Sequence, residues 1–366
     1  MNFDLSEDQK MLAEQARKLL EESSSPDRLR QLIDDNSPYD QTLWKNLAEL
    51  GFLGAAIPEE FGGVGMSAME LAVIAEEIGR FNAAIPFNSS IVQAAKAIEL
   101  AGDHSQKESW LPRIATGEVI ATLATLETPG VFSFKNSQCH FNNGKLSGKK
   151  IAVANGVFAD LAIVSCLHNN QPALAIIKLE QPNIERKAIS SFDELHPFAE
   201  LQFDNANAEL LTNKNAQETL QHVEQYAAAI IAFEQIGGSE ACLYMARDYA
   251  LERKIFGRNL ASYQAIKHKL ADIYVKIEIA RSNAMYATWA LVNDSVDKES
   301  ATAVSRLSAL NAFETAAREN LQTHGGIGYT FEANCHFYYR RERLLATLLG
   351  GKSYWSNVLI NSTVNA

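Results

Sequence analysis

Hydrophobic residues follow two different periods along the chain. Before residue 118 and after residue 214, apolar residues recur every three or four positions, which is the period of an amphipathic helix. Between these regions lie short β-rich runs, separated by Asn-Gly and Gln-Pro-Asn turns. The pattern predicts a mainly α protein with an inserted β domain, divided into residues 1–118, 119–213 and 214–366.

The N-terminal part is predicted to contain at least three helices. Ser6 is placed to cap the first helix, and residues 23–26 break it. A second helix is expected over residues 39–50 before Gly51, and a third over residues 68–80.

Two features of this part invite functional interpretations that we weigh against structural ones. Glycines at 62, 63 and 65 suggest a phosphate loop, but no Lys-Ser/Thr pair follows them, so a structural loop is favoured. Acidic residues on the third helix could act as general acids, but a solvated helix face is the simpler interpretation and predicts that they lie at the surface. These acids are Glu70, Glu76 and Glu77.

Strands are expected over the five β-rich runs of the middle part. These runs are residues 119–126, 145–154, 161–167, 173–179 and 199–203. After residue 214 three long helices are expected, over residues 218–252, 263–291 and 300–323. Gly237 and Gly238 in the first of them would allow a close helix crossing.

Composition limits the classes of function. The formal net charge of −11 argues against a nucleic-acid partner or an anionic membrane surface. The four cysteines lack metal-ligand spacing and are interpreted as buried thiols in a reducing compartment. The sequence shows neither a targeting signal at its start nor an apolar stretch long enough to insert into a membrane, so a cytoplasmic location is expected.

One stretch concentrates candidate chemistry, in the sequence Arg253-x-x-Phe256-Gly257-Arg258. Gly257 is expected to end the preceding helix in a left-handed conformation. Two guanidinium groups and an aromatic ring beside a helix end suit a bound phosphate, because guanidinium binds phosphate oxygens in bidentate fashion. The alternative is that these cations only complement the helix dipole.

This stretch resembles the signature of the acyl-CoA dehydrogenase family, flavoproteins that oxidise acyl-CoA thioesters at the α and β carbons. Tyr263-Gln264 and residues 270–272 extend the resemblance. A second block, Gln322 followed by Thr323-His324-Gly325-Gly326, resembles the glycine-rich C-terminal motif of the family. Two such blocks in order make the resemblance specific.

The resemblance implies a fold and a cofactor. The fold would comprise an N-terminal helical domain, a middle β-sandwich or β-barrel domain and a C-terminal four-helix bundle, assembled as a tetramer. The cofactor would be FAD, bound at a subunit interface. Residues from one subunit would contact FAD together with residues from its neighbour; these sets are Arg253, Phe256 and Gln264, and Gln322, Gly325 and Gly326. His324 would be a cofactor neighbour rather than a base.

The chain departs from the family pattern around the flavin ring. Residues 146–150, 155–156 and 159–160 match the segment that supports the ring, but Ala152 and Ala154 stand where the family commonly has an aromatic and a hydroxyl residue. The motif preceding them, over residues 125–134, is shortened and scrambled.

The catalytic base is also missing from its usual positions. Leu349, before Gly350, matches the position of the glutamate that most members use, and Ala227 matches the position used by a minority. Glu224 and Glu234 are the nearest acids along the same helix. Burial beside Phe233 could raise the pKa of Glu234 and make it a base, although a carboxylate bonded to the backbone or to an arginine is the simpler interpretation.

Two hypotheses follow. In the first, the chain is the subunit without the base in a dehydrogenase built from two homologous chains, as in the branch that handles sterol or bile-acid side chains in lipid metabolism and steroid degradation. Its partners would be the homologous subunit that carries the base, an acyl-CoA thioester and an acceptor similar to electron-transfer flavoprotein. In the second, the chain forms a homo-oligomer, which either uses an unusual base such as Glu234 or binds acyl-CoA without redox chemistry.

Overall fold

The computed structural model describes residues 4–130 and 133–364. The chain forms two compact units. The first unit contains Met1–Arg28, Ala68–Ala83 and Ala228–Ala366, and the second contains Leu29–Ser67 and Ala84–Ala227. The predicted mainly α fold with an inserted β region is confirmed, whereas the division into three parts stays a prediction.

Eleven α-helices are present in the described residues. They are α1 (Glu7–Ser23), α2 (Pro26–Asp34), α3 (Gln41–Glu49), α4 (Ala68–Arg80), α5 (Lys96–Ala101), α6 (His104–Ala115), α7 (Ala216–Glu252), α8 (Gln264–Val292), α9 (Lys298–His324), α10 (Cys335–Thr347) and α11 (Lys352–Val364). A π-helical segment, Phe87–Ala95, precedes α5.

Several helix boundaries follow from local sequence signals. The Ser6 hydroxyl accepts the Gln9 N–H while the Gln9 side chain accepts the Ser6 N–H, which completes a capping box at the start of α1. The Asp40 side chain caps α3 by accepting the Leu43 N–H, and Gly51 follows α3 with φ +78°. The predicted ends near residues 23 and 51 are therefore correct.

The backbones of α4 and α7 cross in close contact within the first unit. A methyl group on Gly237 would lie 1.8 Å from the carbonyl oxygen of Glu76, and one on Gly79 would lie 1.9 Å from that of Glu234. A methyl on Gly238 would meet the Phe313 ring of α9 at 2.6 Å. The predicted close crossing at Gly237 and Gly238 is confirmed, because only glycine leaves room for it.

The second unit contains an eight-stranded sheet. Its strands are β1 (Ala121–Ala124), β2 (His140–Asn142), β3 (Lys145–Ala154), β4 (Leu161–His168), β5 (Gln171–Lys178), β6 (Ile184–Ile189), β7 (Phe198–Asn207) and β8 (Glu209–Leu211). The order is β6-β7-β3-β2-β4-β5-β8, and β1 pairs with β4 in parallel. All five predicted strands are present, and β2, β6 and β8 were missed because they are short or mostly exposed.

The expectation that the acids of α4 lie at the surface is wrong for Glu76 and Glu77, which are buried, whereas Glu70 is half-buried and accepts the Gln9 amide at 2.8 Å. Glu77 keeps only 2% of its side-chain surface exposed and is bound by Arg17 of α1 and Arg80. Glu76 is bound by Arg80 and by Arg281 of α8. We call the group Arg17, Glu76, Glu77, Arg80, Glu240 and Arg281 the charge network.

Most ion pairs of the charge network are made within it, although Arg281 also lies 3.7 Å from the Glu278 carboxylate. Arg80 Nη1 and Arg281 Nη2 both contact the Glu240 carboxylate of α7, at 2.5 and 2.7 Å. Burial raises the pKa of Glu76 above its ordinary value, and the two arginines oppose that effect. Three arginines balance three glutamates, so the network is compatible with a buried environment. It lines one side of a cavity of about 360 Å³, which Leu5 and Ala13 also line.

The glycines at 62, 63 and 65 form a structural loop. A methyl group on Gly63 would lie 2.0 Å from the Ile57 carbonyl oxygen, and Gly62 and Gly65 have φ values of +77° and +71°. The backbone at Gly63 therefore packs against protein rather than facing a ligand. The four cysteines are buried free thiols, as predicted, and no helix among the described residues has the length and apolar character needed to span a membrane.

Candidate FAD and acyl-CoA site

The stretch around Arg253 forms a small hairpin, which we call the arginine hairpin. Helix α7 ends at Glu252, and β9 (Lys254–Ile255) pairs with β10 (Arg258–Asn259). Phe256 and Gly257 make the turn with φ values of +49° and +78°. The expectation that Gly257 ends the helix is therefore wrong. Two left-handed residues instead give the turn whose twist matches paired strands.

The two arginines of the hairpin differ in their contacts. The Arg258 guanidinium lies 3.9 Å from the centre of the Tyr263 ring, whose hydroxyl donates to the Ile255 carbonyl at 3.1 Å. The Arg253 side chain is exposed and has no partner among residues 4–130 and 133–364. Arg253 is thus an available cation, whereas Arg258 braces the hairpin.

Phe256 and Gln264 are also directed away from the core. The Phe256 side chain is 94% exposed at the hairpin tip. Left-handed backbone is unusual for a bulky residue and costs roughly 1–3 kcal/mol. Gln264 is exposed as the first residue of α8, where backbone N–H groups carry the positive end of the helix dipole. These positions suit contact with an anion or a ring.

The glycine-rich segment divides into an open half and a packed half. Helix α9 ends at His324, and Gly325 begins a short 3-10 turn with φ +65°. A methyl group on Gly325 or Gly326 would meet nothing within 4 Å, whereas one on Gly328 would lie 2.7 Å from the Leu321 carbonyl oxygen. Gly328 serves packing. The Gly325 N–H donates to the carbonyl oxygens of Leu321 and Gln322 at the end of α9, so Gly326 is the glycine whose backbone we consider for a phosphate group. Gln322 is exposed beside them.

An aromatic stack joins the two motifs. The rings of Tyr249, near the end of α7, and His324 lie 4.2 Å apart at an angle of 28°. His324 Nδ1 lies 2.9 Å from the Asn320 carbonyl oxygen, so Nδ1 carries the hydrogen. Sequence reasoning gave Tyr249 no role. Its place one turn before Arg253 was the available signal.

The residues expected around a flavin ring lie in the second unit. Ala152 is exposed with φ +50° at a register shift in β3, and Ala154 is half-buried. The carbonyl of Ala154 accepts the Thr122 hydroxyl at 2.7 Å. Small side chains at both positions leave this face of β3 without a ring or a hydroxyl of its own. In the scrambled stretch before it, Val131 and Phe132 lie outside the described residues.

Glu127, within that stretch, is structural. Its carboxylate accepts the Lys150 ammonium at 2.6 Å, the Ser137 hydroxyl at 2.6 Å and the Gln138 N–H at 2.5 Å. Lys150 is fully buried and also donates to Ser165 at 2.9 Å. The pair therefore ties the stretch to the sheet.

Leu349, which we expect at the position of the usual base, lies among hydrocarbon side chains. Leu349 packs against a cluster formed by Ala228, Ala303 and Trp355. Ala227, which matches the other base position, is fully buried on α7. Leu349 has φ +60°, and its carbonyl accepts the Trp355 Nε1–H at 3.1 Å.

A buried arginine holds the turn that carries Leu349. Arg306 of α9 is fully buried and donates to the carbonyl oxygens of Leu345 and Leu348, and to Gln235 Oε1 at 2.5 Å. Burial lowers the pKa of Arg306 to about 10. Sequence reasoning missed this residue, since a lone arginine within a helical pattern looks like an exposed one.

Glu234 has the contacts of a structural carboxylate. Its Oε1 accepts Arg341 Nε at 2.7 Å and Arg341 Nη2 at 2.5 Å. Both side chains are buried. These contacts favour the simpler interpretation of Glu234 as a carboxylate bonded to an arginine, although its role as a base stays a prediction.

Comparison with known proteins decides the family. Residues 6–118 match the model of the acyl-CoA dehydrogenase N-terminal domain, and residues 198–359 match that of the C-terminal domain. The chain belongs to the acyl-CoA dehydrogenase family. FAD is the cofactor that members of this family bind. The open glycines and the available Arg253 fit a diphosphate group.

Individual relatives share sequence or fold with this chain along most of its length. The chain is 30% identical over 346 residues to acyl-CoA dehydrogenase IpdE2 of Mycobacterium tuberculosis, covering 94% of this chain and 93% of that one. A Tcur3481-Tcur3483 steroid acyl-CoA dehydrogenase variant superposes with a TM-score of 0.89 at 29% identity, covering 98% of each chain. The predicted resemblance to the sterol branch is confirmed.

A third comparison supports the fold. The ChsE4-ChsE5 complex of Mycobacterium tuberculosis superposes with a TM-score of 0.91 at 22% identity, covering 100% of both chains. This identity shows a shared fold.

Proposed function

We propose that the chain is the subunit without a catalytic base in an FAD-dependent acyl-CoA dehydrogenase built from two homologous chains. The observation that carries the proposal is Leu349, which occupies the usual base position and packs into an apolar cluster with Ala228. A hydrocarbon side chain accepts no proton. Similarity to Tcur3481-Tcur3483, a steroid enzyme whose name joins two chains, supports the second chain and a bulky, sterol-derived acyl group.

The reaction class assigns different tasks to the two chains. Desaturation of an acyl-CoA removes a proton from the α carbon and a hydride from the β carbon. Bound FAD supplies the hydride acceptor. In this division the partner chain provides the carboxylate that takes the proton, while the present chain binds the cofactor.

We place FAD binding on residues of the first unit. The guanidinium of Arg253 and the backbone N–H group of Gly326 would bind the diphosphate. Gly325, whose own N–H caps α9, would let the cofactor approach closely, with Phe256, Gln264 and Gln322 beside it. The Tyr249–His324 stack supports a change to the expected division between subunits, since it joins both motifs on one chain. Both motifs would then serve the same FAD molecule.

The remaining partners are proposed from the same reasoning. We propose a tetramer, reoxidation by an acceptor similar to electron-transfer flavoprotein, and a cytoplasmic location. The four free cysteines support a reducing compartment.

Co-expression with a homologous subunit tests the proposal. The purified chain alone is expected to show little flavin absorbance and little dehydrogenase activity with acyl-CoA thioesters, and the co-purified complex is expected to show both. A yellow, active preparation of the chain alone would reject the division of tasks. If its Glu234→Gln variant were inactive, Glu234 would be the base. A colourless chain that binds acyl-CoA with or without the homologue would indicate a non-redox binding protein.

A further inference from the structure

A pair of stacked rings joins the two cofactor motifs. Tyr249 stacks on His324 with 4.2 Å between ring centres. The Tyr249 carbonyl accepts the Arg253 N–H at 2.8 Å, so the ring stands one helical turn below the arginine. His324 directly precedes Gly325. Each ring is therefore attached to one of the two groups expected to bind the diphosphate.

The His324 imidazole is held by a hydrogen bond as well as by the stack with Tyr249. Asn320, one turn earlier on α9, accepts the His324 Nδ1 hydrogen at 2.9 Å, and its amide donates to Met245 Sδ of α7 at 3.3 Å. The hydrogen bond sets the plane of the ring, and the stack sets its distance from Tyr249. Both rings are half-buried, so the contact is partly shielded from water.

We propose that Tyr249 and His324 are positioning residues that set the distance between the Arg253 guanidinium and the N–H group of Gly326. The inference rests on the proposed function, because it gives the stack a consequence for FAD. Charge-assisted hydrogen bonds to one diphosphate require donors on both motifs to be in place together. A shift of about 1 Å between the motifs breaks that match.

A packing role and a positioning role predict different results for paired variants. His324→Ala and Tyr249→Ala each remove the stack, while His324→Phe and Tyr249→Phe keep an aromatic face. If the rings position the motifs, each alanine variant of the co-purified complex weakens FAD binding about tenfold, which corresponds to about 1.4 kcal/mol. The phenylalanine variants restore binding, and the double alanine variant is little worse than either single one.

The measurement is a titration of the FAD-free complex with FAD, followed by flavin fluorescence. Hydrogen–deuterium exchange of the same FAD-free samples reports residues 253–259 and 325–329 separately. His324→Ala is expected to increase exchange in both segments. His324→Leu, which keeps side-chain volume but lacks an aromatic face, serves as the replacement if His324→Ala does not fold.

The chain offers a matched control in His336. The rings of His336 and Phe331 stack with 4.7 Å between their centres and an angle of 20° between their planes. The pair is close in sequence to the glycine-rich segment, but it does not connect the two motifs. His336→Ala is expected to leave FAD affinity unchanged.

The outcomes separate the inference from the proposed function. Unchanged FAD affinity in the alanine variants, or increased exchange in one segment alone, would overturn the positioning role. Failure of phenylalanine to restore binding would overturn it as well. If the wild-type complex binds no FAD, the proposed function fails, and the exchange data still decide whether the stack couples the two segments.

Discussion

The charge network and the arginine hairpin lie in the same unit and contrast in every physical respect. In the network, arginines from α1, α4 and α8 meet glutamates of α4 and α7, and the charges are paired with each other. In the hairpin, Arg253 and Phe256 face outward. Paired, buried charges hold helices together, whereas exposed and strained groups are available to a second molecule.

Removing one charge from the network should have the largest effect. Glu76→Gln removes one of the two carboxylates that Arg80 and Arg281 both contact and leaves only that of Glu240. Removal of one partner from a buried pair costs about 3–5 kcal/mol. Urea unfolding of the chain measures the loss. Glu7→Gln, at the exposed Glu7–Lys10 pair, is the control and should leave the unfolding midpoint unchanged. Equal unfolding midpoints for Glu76→Gln and Glu7→Gln would contradict a stabilising role for the charge network.

Two glycine substitutions sharpen the same contrast. Gly237→Ala forces a methyl group onto the Glu76 carbonyl oxygen, so unfolding free energy should fall by about 3 kcal/mol or more. Gly326→Ala meets open space and should leave stability within about 0.5 kcal/mol of wild type, while weakening FAD binding. Chemical denaturation and flavin titration distinguish the two effects. A stable Gly237→Ala protein would contradict the close helix crossing.

Arg253 should affect ligand binding without affecting stability. Arg253→Ala removes one charge-assisted hydrogen bond to the diphosphate, worth about 1.5–3 kcal/mol, so FAD should dissociate roughly 10- to 100-fold more readily from the complex. The unfolding midpoint should not move, since the side chain is exposed. Arg247→Ala, an exposed arginine of α7 that pairs with Asp248, is the control and should retain normal FAD affinity.

The smallest expected effect is a change with pH in the stabilisation from the Glu127–Lys150 pair of the second unit. Burial raises the pKa of Glu127, but the hydrogen bonds from Gln138, Lys150 and Ser137 outweigh it and hold that pKa below its usual value of 4.5. Because the folded-state pKa is lowered, this stabilisation is present above pH 4.5 and is lost as the pH falls through the folded-state value. The unfolding free-energy difference between wild type and Glu127→Gln should therefore shrink between pH 5 and pH 3, in urea titrations at fixed ionic strength. A constant difference would show that Lys150 does not depend on the ionised carboxylate.

Local signals predicted most of the fold. The cap at Ser6, the stop at Gly51 and the close crossing at Gly237 each depend on residues next to one another in sequence, and all three are present. Glu76 was misjudged because its main partner, Arg281, is 205 positions away, and a single sequence does not reveal such a partner. Gly257 was misplaced for another reason. The pattern did not suggest that Phe256 would adopt left-handed backbone and turn the chain into a hairpin.

The candidate site was predicted unevenly for the same reason. Motif residues such as Arg253 and Gly325 can be read from their neighbours in sequence. Tyr249 and Arg306 act through contacts with a different helix, at His324 and at the α10 terminus. The sequence alone gives such residues no distinguishing mark.

Phe256 has a consequence for how this sequence responds to selection. A screen for heat resistance alone would replace Phe256 with glycine or asparagine. Either residue adopts φ +49° with less strain, and neither exposes an aromatic ring to solvent. The hairpin would survive that change and the whole protein would melt later. Such a screen would discard the exposed ring that we propose to contact FAD, so thermal stability is the wrong trait by which to judge variants of this residue.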